Sequence, residues 1–520
     1  MNDALDQLER NILSNGLTAS ERQESFIDRH PRAYQYFLAG LTIWGYTFIF
    51  SFPIIAVLLF AFIPKQIIMA SDLISVSVIF IEIAIVLIAA SLSMTLYQLK
   101  TILPSGRPLE RQETPKLYAL IDELTQQFAS HRLQPKIQQI KISQNFEIRT
   151  VRTPRNGFPI LFTNTLIIGL PLLLSHTPKQ LKTLISREVI HLAGARSRLS
   201  SWLCFSGSYW EQYNFALKKQ VKSPNIFLLF FFAWFSPLYA LLAQGARKIE
   251  HYYIDRQLAA VIGKEELSDS LVQSYISNKY LNDVFWPHLN NKAYKHKTPP
   301  YLPHASIERN IKSKLDDHSR QSWLDSALCE VSESASEPSL SNRLKKLDIS
   351  NPPLPDSLHM TAAEFFLRDT LPTLIQQMDK IWSFSNQFIW QKKYIKGQEE
   401  MNELNELGIQ AQQGLLTDQR IWDYIQLIKR YMDEQEAARL YKEILKLETG
   451  DARISFEIGR TLLEQMDNDG IEALEQTMRQ EAGYTVMACH LLTRHYSRIG
   501  DNRSAQSCRR RALAYQVNAA

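Results

Sequence analysis

Residues 177–198 read TPKQLKTLISREVIHLAGARSR, and this stretch predicts one amphipathic helix. Thr177 suits the N-cap and Pro178 suits the first helical position, so the helix should run from Pro178 to about Arg198. Apolar side chains recur along it at helical spacing and should form its buried face: Leu181, Leu184, Ile185, Leu192 and Ala195.

Three ionisable residues accompany this buried face. Glu188 and His191 are three residues apart, and Arg187 lies one turn before His191. Charged groups on an apolar helix face need one another, or a metal ion, as partners. The stretch therefore indicates either a buried ion-pair cluster or a metal-dependent site.

Composition narrows the class of protein. A chain of 520 residues with 45% hydrophobic and 21% charged residues should fold into several domains rather than stay disordered. Its net charge of +5 argues against nucleic acid as a partner. The four cysteines form no C-x-x-C pair, which predicts neither a disulfide framework nor a zinc knuckle and fits a reducing compartment.

Two apolar runs near the N-terminus, 37–63 and 73–96, exceed the roughly 20 residues that cross a bilayer. Two buried core helices are the alternative. Lys and Arg flank the pair on both outer sides, whereas the connecting loop holds only Lys65, so the flanks should be cytoplasmic. A third run, 226–243, follows a semi-apolar stretch, 199–215; together they predict a second hairpin or helices docked on the membrane surface.

The segments between the apolar runs predict a small sheet among helices. Residues 115–131 read as an amphipathic helix, and three strand-like stretches follow at 137–142, 146–151 and 160–169. Residues 296–360 are rich in Pro, Ser and charge, which predicts loops with one short basic helix at 343–347. A long helical pattern resumes at 361–390.

The last part of the chain, 391–520, predicts helices throughout. Ala438, Ala473 and Ala505 stand in similar surroundings 35 and 32 residues apart. A period of about 34 is typical of tetratricopeptide helix–turn–helix repeats, whose concave surface usually binds peptides or partner proteins. A plain helical bundle is the alternative.

The motifs also occur in an ordered series that resembles a known family. Residues 187–191 read R-E-x-x-H, close to the H-E-x-x-H of zinc peptidases. An Asn-Gly-Phe stretch at 156–158 precedes that helix, RKIEHYYIDR at 247–256 resembles an R-x-x-E-x-x-A-D-R helix, and EPSLSNRL at 337–344 resembles H-P-S-x-x-x-R-L. With the N-terminal hairpin, residues 35–390 resemble membrane metallopeptidases of the HtpX and CAAX-prenyl-protease type.

The resemblance implies roles for particular residues. Glu188 would be the general base, His191 a zinc ligand, and His251 or Glu250 a further ligand. The groups around the site would be Asp255, Glu337 and Arg343, and His176 is a spare ligand candidate more typical of a surface loop.

Several departures from the family pattern weaken the expectation of zinc. Arg187 stands where the first ligand histidine would be, His251 where the ligand glutamate would be, and Glu337 where the late histidine would be. A guanidinium stays protonated and repels a divalent ion by several kcal/mol at about 4 Å, for an effective dielectric near 20. It could instead pair with Glu188, Glu250 or Glu337 and cross-link the helices in place of a metal.

We therefore expect an α+β chain, mostly α-helical with a small sheet. Its expected parts are a cytoplasmic tail at 1–36, a transmembrane hairpin at 37–99, a metallopeptidase-like domain at 100–390 with a membrane-associated segment near 199–243, and tetratricopeptide-like repeats at 391–520. The expected function is an inactive scaffold in a bacterial inner membrane, with soluble domains facing the cytoplasm and protein or peptide partners. The alternative is an active zinc metalloendopeptidase that cleaves membrane or misfolded proteins.

Overall fold

The computed structural model describes residues 30–69, 73–98, 105–128, 136–154, 162–194, 198–219, 226–329, 338–447 and 450–519. The chain divides into two compact units. The first comprises Met1–Trp286 and Tyr301–Ser383, and the second comprises Pro287–Pro300 and Phe384–Ala520. The expected composition of the fold, mostly helical with a small sheet, is confirmed.

The first unit begins with two long apolar helices, α1 (Pro31–Met69) and α2 (Leu73–Gln98). Many of their large side chains are exposed, Phe60 by 69% and Leu87 by 64%. Among the described residues, three helical stretches are long and apolar enough to cross a membrane: 32–68, 76–96 and 226–262. The expectation of apolar helices of spanning length is confirmed.

A four-stranded mixed sheet follows, in the order β1-β2-β4-β3. Its strands are β1 (Arg107–Leu109), β2 (Gln139–Ser143), β3 (Ile148–Pro154) and β4 (Phe162–Gly169). Strands β2 and β4 run parallel, while β1 and β3 pair antiparallel with their neighbours, Ile148 lying opposite Ile168. Because β3 comes last in this order, it lies at an edge of the sheet. Helix α3 (Pro115–Gln127) packs on the sheet and buries four apolar side chains in a core shared with β2 and β4: Leu117, Leu120, Ile121 and Leu124.

The helix predicted from residues 177–198 is α5 (Pro178–Ala193), which comes after a single turn, α4 (Leu170–Leu173). Thr177 and Gln180 form a reciprocal capping box at its start. The helix ends earlier than Arg198 because Gly194 adopts φ +74°, a left-handed conformation that glycine accepts without a steric penalty. Arg198 begins the next helix instead.

Helices α6 (Arg198–Lys219) and α7 (Ile226–Ile262) pack antiparallel as a hairpin. Trp210 of α6 contacts Phe235 of α7 with ring centroids 5.3 Å apart, and Ser200 near the start of α6 donates to Glu250 near the end of α7. Helix α1 packs on this hairpin, where the Thr42 hydroxyl lies 2.8 Å from that of Tyr239. The hairpin arrangement brings the chain back to α5 at the same end from which it left.

The next seven segments of the described chain after α7 are helical, and some of them lie where the sequence predicted loops. They are α8 (Lys264–Tyr280), a π-helical turn (Leu281–Phe285), α9 (Trp286–Lys292), α10 (Pro303–Lys314), α11 (Asp317–Cys329), α12 (Leu340–Lys346) and α13 (Ala362–Phe366). The short basic helix expected at 343–347 is present as α12, whereas the expectation of loops over 296–360 was wrong where α10 and α11 lie. Each buries only a few side chains, so their apolar periodicity is weak; α11 buries Arg320, Leu324 and Ala327.

Helix α14 (Leu371–Gln412) follows, and its residues from Phe384 onward belong to the second unit. That unit continues with α15 (Asp418–Tyr431), α16 (Glu434–Leu445), α17 (Ala452–Glu464), α18 (Asp469–Gln480), α19 (Thr485–Arg498) and α20 (Asn502–Ala519). Ala473 and Ala505 of the proposed repeat are buried, and Ala438 packs at the edge of the core. The tetratricopeptide assignment stays a prediction.

Candidate functional site

Arg187 projects from α5 toward α7 and joins the two helices. Its Nε donates to Asp255 Oδ1 at 2.9 Å, and one terminal nitrogen lies 3.3 Å from His251 Nδ1. The side chain is only 11% exposed. Burial and the nearby Arg343 cation lower the pKa of Arg187, whereas Asp255 and Glu188 oppose that shift. A guanidinium remains protonated even so, which means that a full positive charge lies between the helices.

Asp255 is the acid that receives this charge, and it accepts hydrogen bonds from a second arginine as well. Arg343 of α12 donates through Nε to Asp255 Oδ2 at 2.7 Å and through a terminal nitrogen to Oδ1 at 2.8 Å. The carboxylate side chain is 2% exposed. Three helices, α5, α7 and α12, therefore meet at a single carboxylate in a charge-assisted network.

Glu188 lies one residue further along α5 and faces the sheet. Its Oε2 accepts a hydrogen bond from the backbone N–H of Thr150 at 2.7 Å. Thr150 belongs to edge strand β3, so the carboxylate binds a backbone donor on the side of the strand that β4 leaves open. The residue predicted as a general base thus holds a strand edge against α5.

The predicted metal ligands do not converge as a set. His191 packs its ring on Phe205 at 4.8 Å between centroids, and no hydrogen-bond partner for its buried Nδ1 is present among the described residues. Burial, followed by the Arg187 and Arg152 cations, lowers the pKa of His191 to about 4, which keeps the ring neutral. His251 lies against Arg187, and Glu250 accepts from Ser200.

Zinc, which the family resemblance implies, does not fit this arrangement. Catalytic zinc takes about three protein ligands and keeps a further position for water. Within the described part of the chain, no group of three or more His, Cys, Asp or Glu side chains is placed to hold a metal ion. The guanidinium of Arg187 also lies 3.3 Å from His251 Nδ1, and its charge, which helps to lower the pKa of His191, repels a divalent ion.

A cavity of about 480 Å³ opens beside these residues. Strand β3, α5, α6 and α7 form its walls, with Glu188, His191, Glu250 and His251 among the lining side chains. Its other walls mix cations with apolar groups: Arg149, Arg152, Arg247, Cys204, Phe205 and Phe215. Such a mixed lining suits a ligand with both polar and apolar parts.

Of the remaining predicted residues, His176 is described by the structure and the others are not. His176 is completely buried rather than in a surface loop, and its Nε2 lies 2.9 Å from Ser274 Oγ in the core of the first unit. Burial lowers the pKa of His176 to about 4. Residues 156–158 and Glu337 lie outside the described residues, so their predicted roles stay predictions.

Sequence reasoning assigned no role to Thr150, Arg152 or Ser200. Arg152 stacks on Phe205 at 4.9 Å and lines the cavity, and Ser200 bonds Glu250. Asp255 was placed only among the surroundings, although its spacing from His251 puts both on one face of α7. That spacing was the available signal for the acid that Arg187 contacts.

Comparison with known proteins gives no identification. No family model, no curated protein and no solved structure matches the chain.

Proposed function

We propose that this chain is a membrane-anchored, catalytically inactive relative of the HtpX and CAAX-type metallopeptidases that binds other proteins. The proposal combines three elements: the apolar helices that anchor the chain, the cavity beside α5, and the helical second unit. Partners would be unfolded or extended protein segments that bind without being cleaved.

The observation that carries the proposal is the position of Arg187. Its guanidinium contacts Asp255 and His251 between α5 and α7, the two helices that would supply the ligands of a zinc peptidase. A divalent ion at that position would replace an ion pair with a like-charge contact, which is unfavourable in a buried setting. The Arg187–Asp255 contact therefore supports a site in which an ion pair, rather than a metal ion, joins α5 and α7.

The contact of Glu188 gives separate support. A general base must lie within reach of a water molecule and of the reacting carbonyl. Glu188 accepts a hydrogen bond from the Thr150 amide at 2.7 Å. This bond uses only one of several lone pairs of the carboxylate, but it ties the side chain to strand β3, and that contact gives Glu188 a structural role that needs no reaction.

The membrane placement rests on charge and length. The helical stretches 32–68 and 76–96 are of spanning length, and Lys and Arg flank them on their outer sides. From the positive-inside rule we propose that both flanks, and the soluble parts that follow, face the cytoplasm. The membrane would be a bacterial inner membrane.

Labelled, reduced casein tests binding and cleavage together. We expect full-length protein in detergent to bind fluorescein-labelled casein saturably by fluorescence anisotropy, with no new fragments on a gel. Phe215 is 45% exposed at the cavity wall, and Phe215→Glu should weaken binding by about ten-fold or more, since covering a Phe side chain with a bound segment contributes about 1.5–3 kcal/mol. Leu302→Glu, another exposed apolar position in the same unit, is the matched control and should bind as the unaltered chain does.

Glu188→Gln distinguishes the scaffold from the active-enzyme alternative. The scaffold proposal expects no cleavage by either the unaltered chain or this variant. Cleavage by the unaltered chain that disappears in Glu188→Gln would favour the zinc metalloendopeptidase. Absence of casein binding by every variant would contradict protein binding at this cavity.

A further inference from the structure

Helix α14 carries an exposed apolar stripe in the second unit. Phe384 is 81% exposed, Phe388 is 77% exposed and Ile395 is 59% exposed. At about 100° per residue, these three side chains lie within a narrow sector of the helix surface. Large aromatic side chains this exposed on one helix face mark an interaction surface.

The orientation of the stripe is set by the opposite side of the same helix. Trp390 is buried, and its indole N–H donates to the carbonyl of His296 at 2.8 Å. Gly397 lies against the backbone of Tyr294, where an added Cβ would come within 2.0 Å of the carbonyl oxygen. Close packing on that side fixes the rotation of α14, so the stripe faces away from the core of its unit.

Charge around the stripe points to the occupant. Residues 384–396 read FSNQFIWQKKYIK, with three lysines and no acidic residue. Lys392 and Lys396 are exposed and border the apolar sector, and Lys396 lies 3.5 Å from Glu400. A helix with aromatic side chains on one face and lysines along its border is suited to the surface of an anionic bilayer.

We propose that this face of α14 docks on an anionic lipid surface, with Phe384, Phe388 and Ile395 inserted at the headgroup boundary. The lysines Lys392 and Lys396 contact the lipid phosphates. The same chain also has helices of spanning length, which would anchor it to a bilayer. The docking surface is separate from the cavity beside α5 and does not depend on the proposed function.

Fluorescence quenching in vesicles tests this directly. Full-length protein with Cys329→Ser and Cys508→Ser receives an environment-sensitive fluorophore at Phe388→Cys and is reconstituted into phosphatidylcholine vesicles with or without phosphatidylglycerol. We expect quenching by nitroxide-bearing lipids, and protection from iodide, in the anionic vesicles. The same fluorophore at Gln435→Cys, an exposed position on α16, should show the reverse.

Charge variants sharpen the test. Each lysine near an anionic surface contributes about five-fold to binding, so Lys392→Gln with Lys396→Gln should lower the docked-to-free ratio about 25-fold. Lys429→Gln is the control, because Lys429 pairs with Glu457 at 2.9 Å on a neighbouring helix; it should change little. Phe384→Ser with Ile395→Ser should also release the helix, and both residues are exposed, so the core stays intact.

Three results would overturn the proposal. Iodide quenching at position 388 that is equal in neutral and anionic vesicles would mean that the stripe stays in water. Protection from both quenchers, with energy transfer between copies labelled at the same position, would assign the stripe to a second copy of the chain. Lipid quenching that is unchanged when Lys392 and Lys396 are both replaced would show that electrostatic attraction to anionic lipid does not hold the helix at the membrane.

Discussion

Two arginine–carboxylate pairs in this molecule have similar hydrogen-bond distances but lie in opposite surroundings. In the first unit, Arg343 donates twice to Asp255 at 2.7 and 2.8 Å, and the carboxylate is 2% exposed. In the second, Arg511 lies 2.8 and 2.9 Å from the two oxygens of Glu475, and these side chains are 46% and 34% exposed. Hydrogen-bond distances alone do not separate the two pairs.

The difference lies in what water can do when one partner is removed. Around Glu475 and Arg511, solvent takes over the lost hydrogen bonds, so an exposed pair contributes at most about 1 kcal/mol. Around Asp255, loss of the carboxylate leaves two buried guanidinium groups, Arg187 and Arg343, close to each other. The buried Asp255–Arg343 pair should therefore contribute much more to the free energy of unfolding than the exposed Glu475–Arg511 pair.

The largest expected effect is that of Asp255→Asn. The amide removes the negative charge that two buried arginines share, and breaking such a pair destabilises by about 3–5 kcal/mol. Hydrogen–deuterium exchange should therefore become faster by about two orders of magnitude or more in the peptides of α5 and α7. Exchange as slow as in the unaltered chain would mean that Asp255 does not hold these helices.

A smaller effect is expected from acid acting on His176. Its pKa is about 4 in the folded chain, below the usual value near 6.5, so the unfolded chain binds more protons between these pH values. Stability should be fully present above pH 6.5 and fall as the pH drops toward 4, by about 2–3 kcal/mol from this ring alone. Urea unfolding at pH 7 and pH 4.5 measures the loss.

His176→Gln separates this ring from the other titrating groups. Glutamine does not titrate, so the acid-induced loss of stability should be smaller in the variant than in the unaltered chain. Equal losses in both proteins would show that the His176 ring does not carry the pH dependence.

The smallest effect should come from Glu475→Gln. It removes one charge of an exposed ion pair, but water replaces the lost interaction, and less than about 1 kcal/mol should be lost. Exchange in α18 and α20 should rise by less than about five-fold. A loss as large as that of Asp255→Asn would contradict the claim that burial decides the contribution.

Local signals predicted much of the fold. The start of α5 follows from Thr177 and Pro178, and the β-branched stretch before it became β4, at 162–169. The short basic helix α12 was predicted, whereas the three-residue strand β1 and the helices at 303–314 and 317–329 carry too little periodicity to be seen in sequence. Their conformation depends on tertiary packing, which a local pattern does not contain.

The sequence predicted which residues lie near the candidate site better than it predicted which of them contact one another. Arg187, Glu188, His191 and His251 do lie around one cavity or beside it. The partner of Arg187 lies 68 residues away on another helix, and no local pattern sets that register. The bond from the Thr150 amide to Glu188 depends on which strand forms the sheet edge, and that also is a tertiary property.

Metal content tests the central claim most directly. Full-length protein is purified in detergent, incubated with zinc, dialysed and measured by elemental mass spectrometry. If the Arg187–Asp255 ion pair replaces a metal ion between α5 and α7, zinc should stay far below one atom per chain and should not change in His191→Ala. About one zinc atom per chain, lost in His191→Ala, would contradict the account.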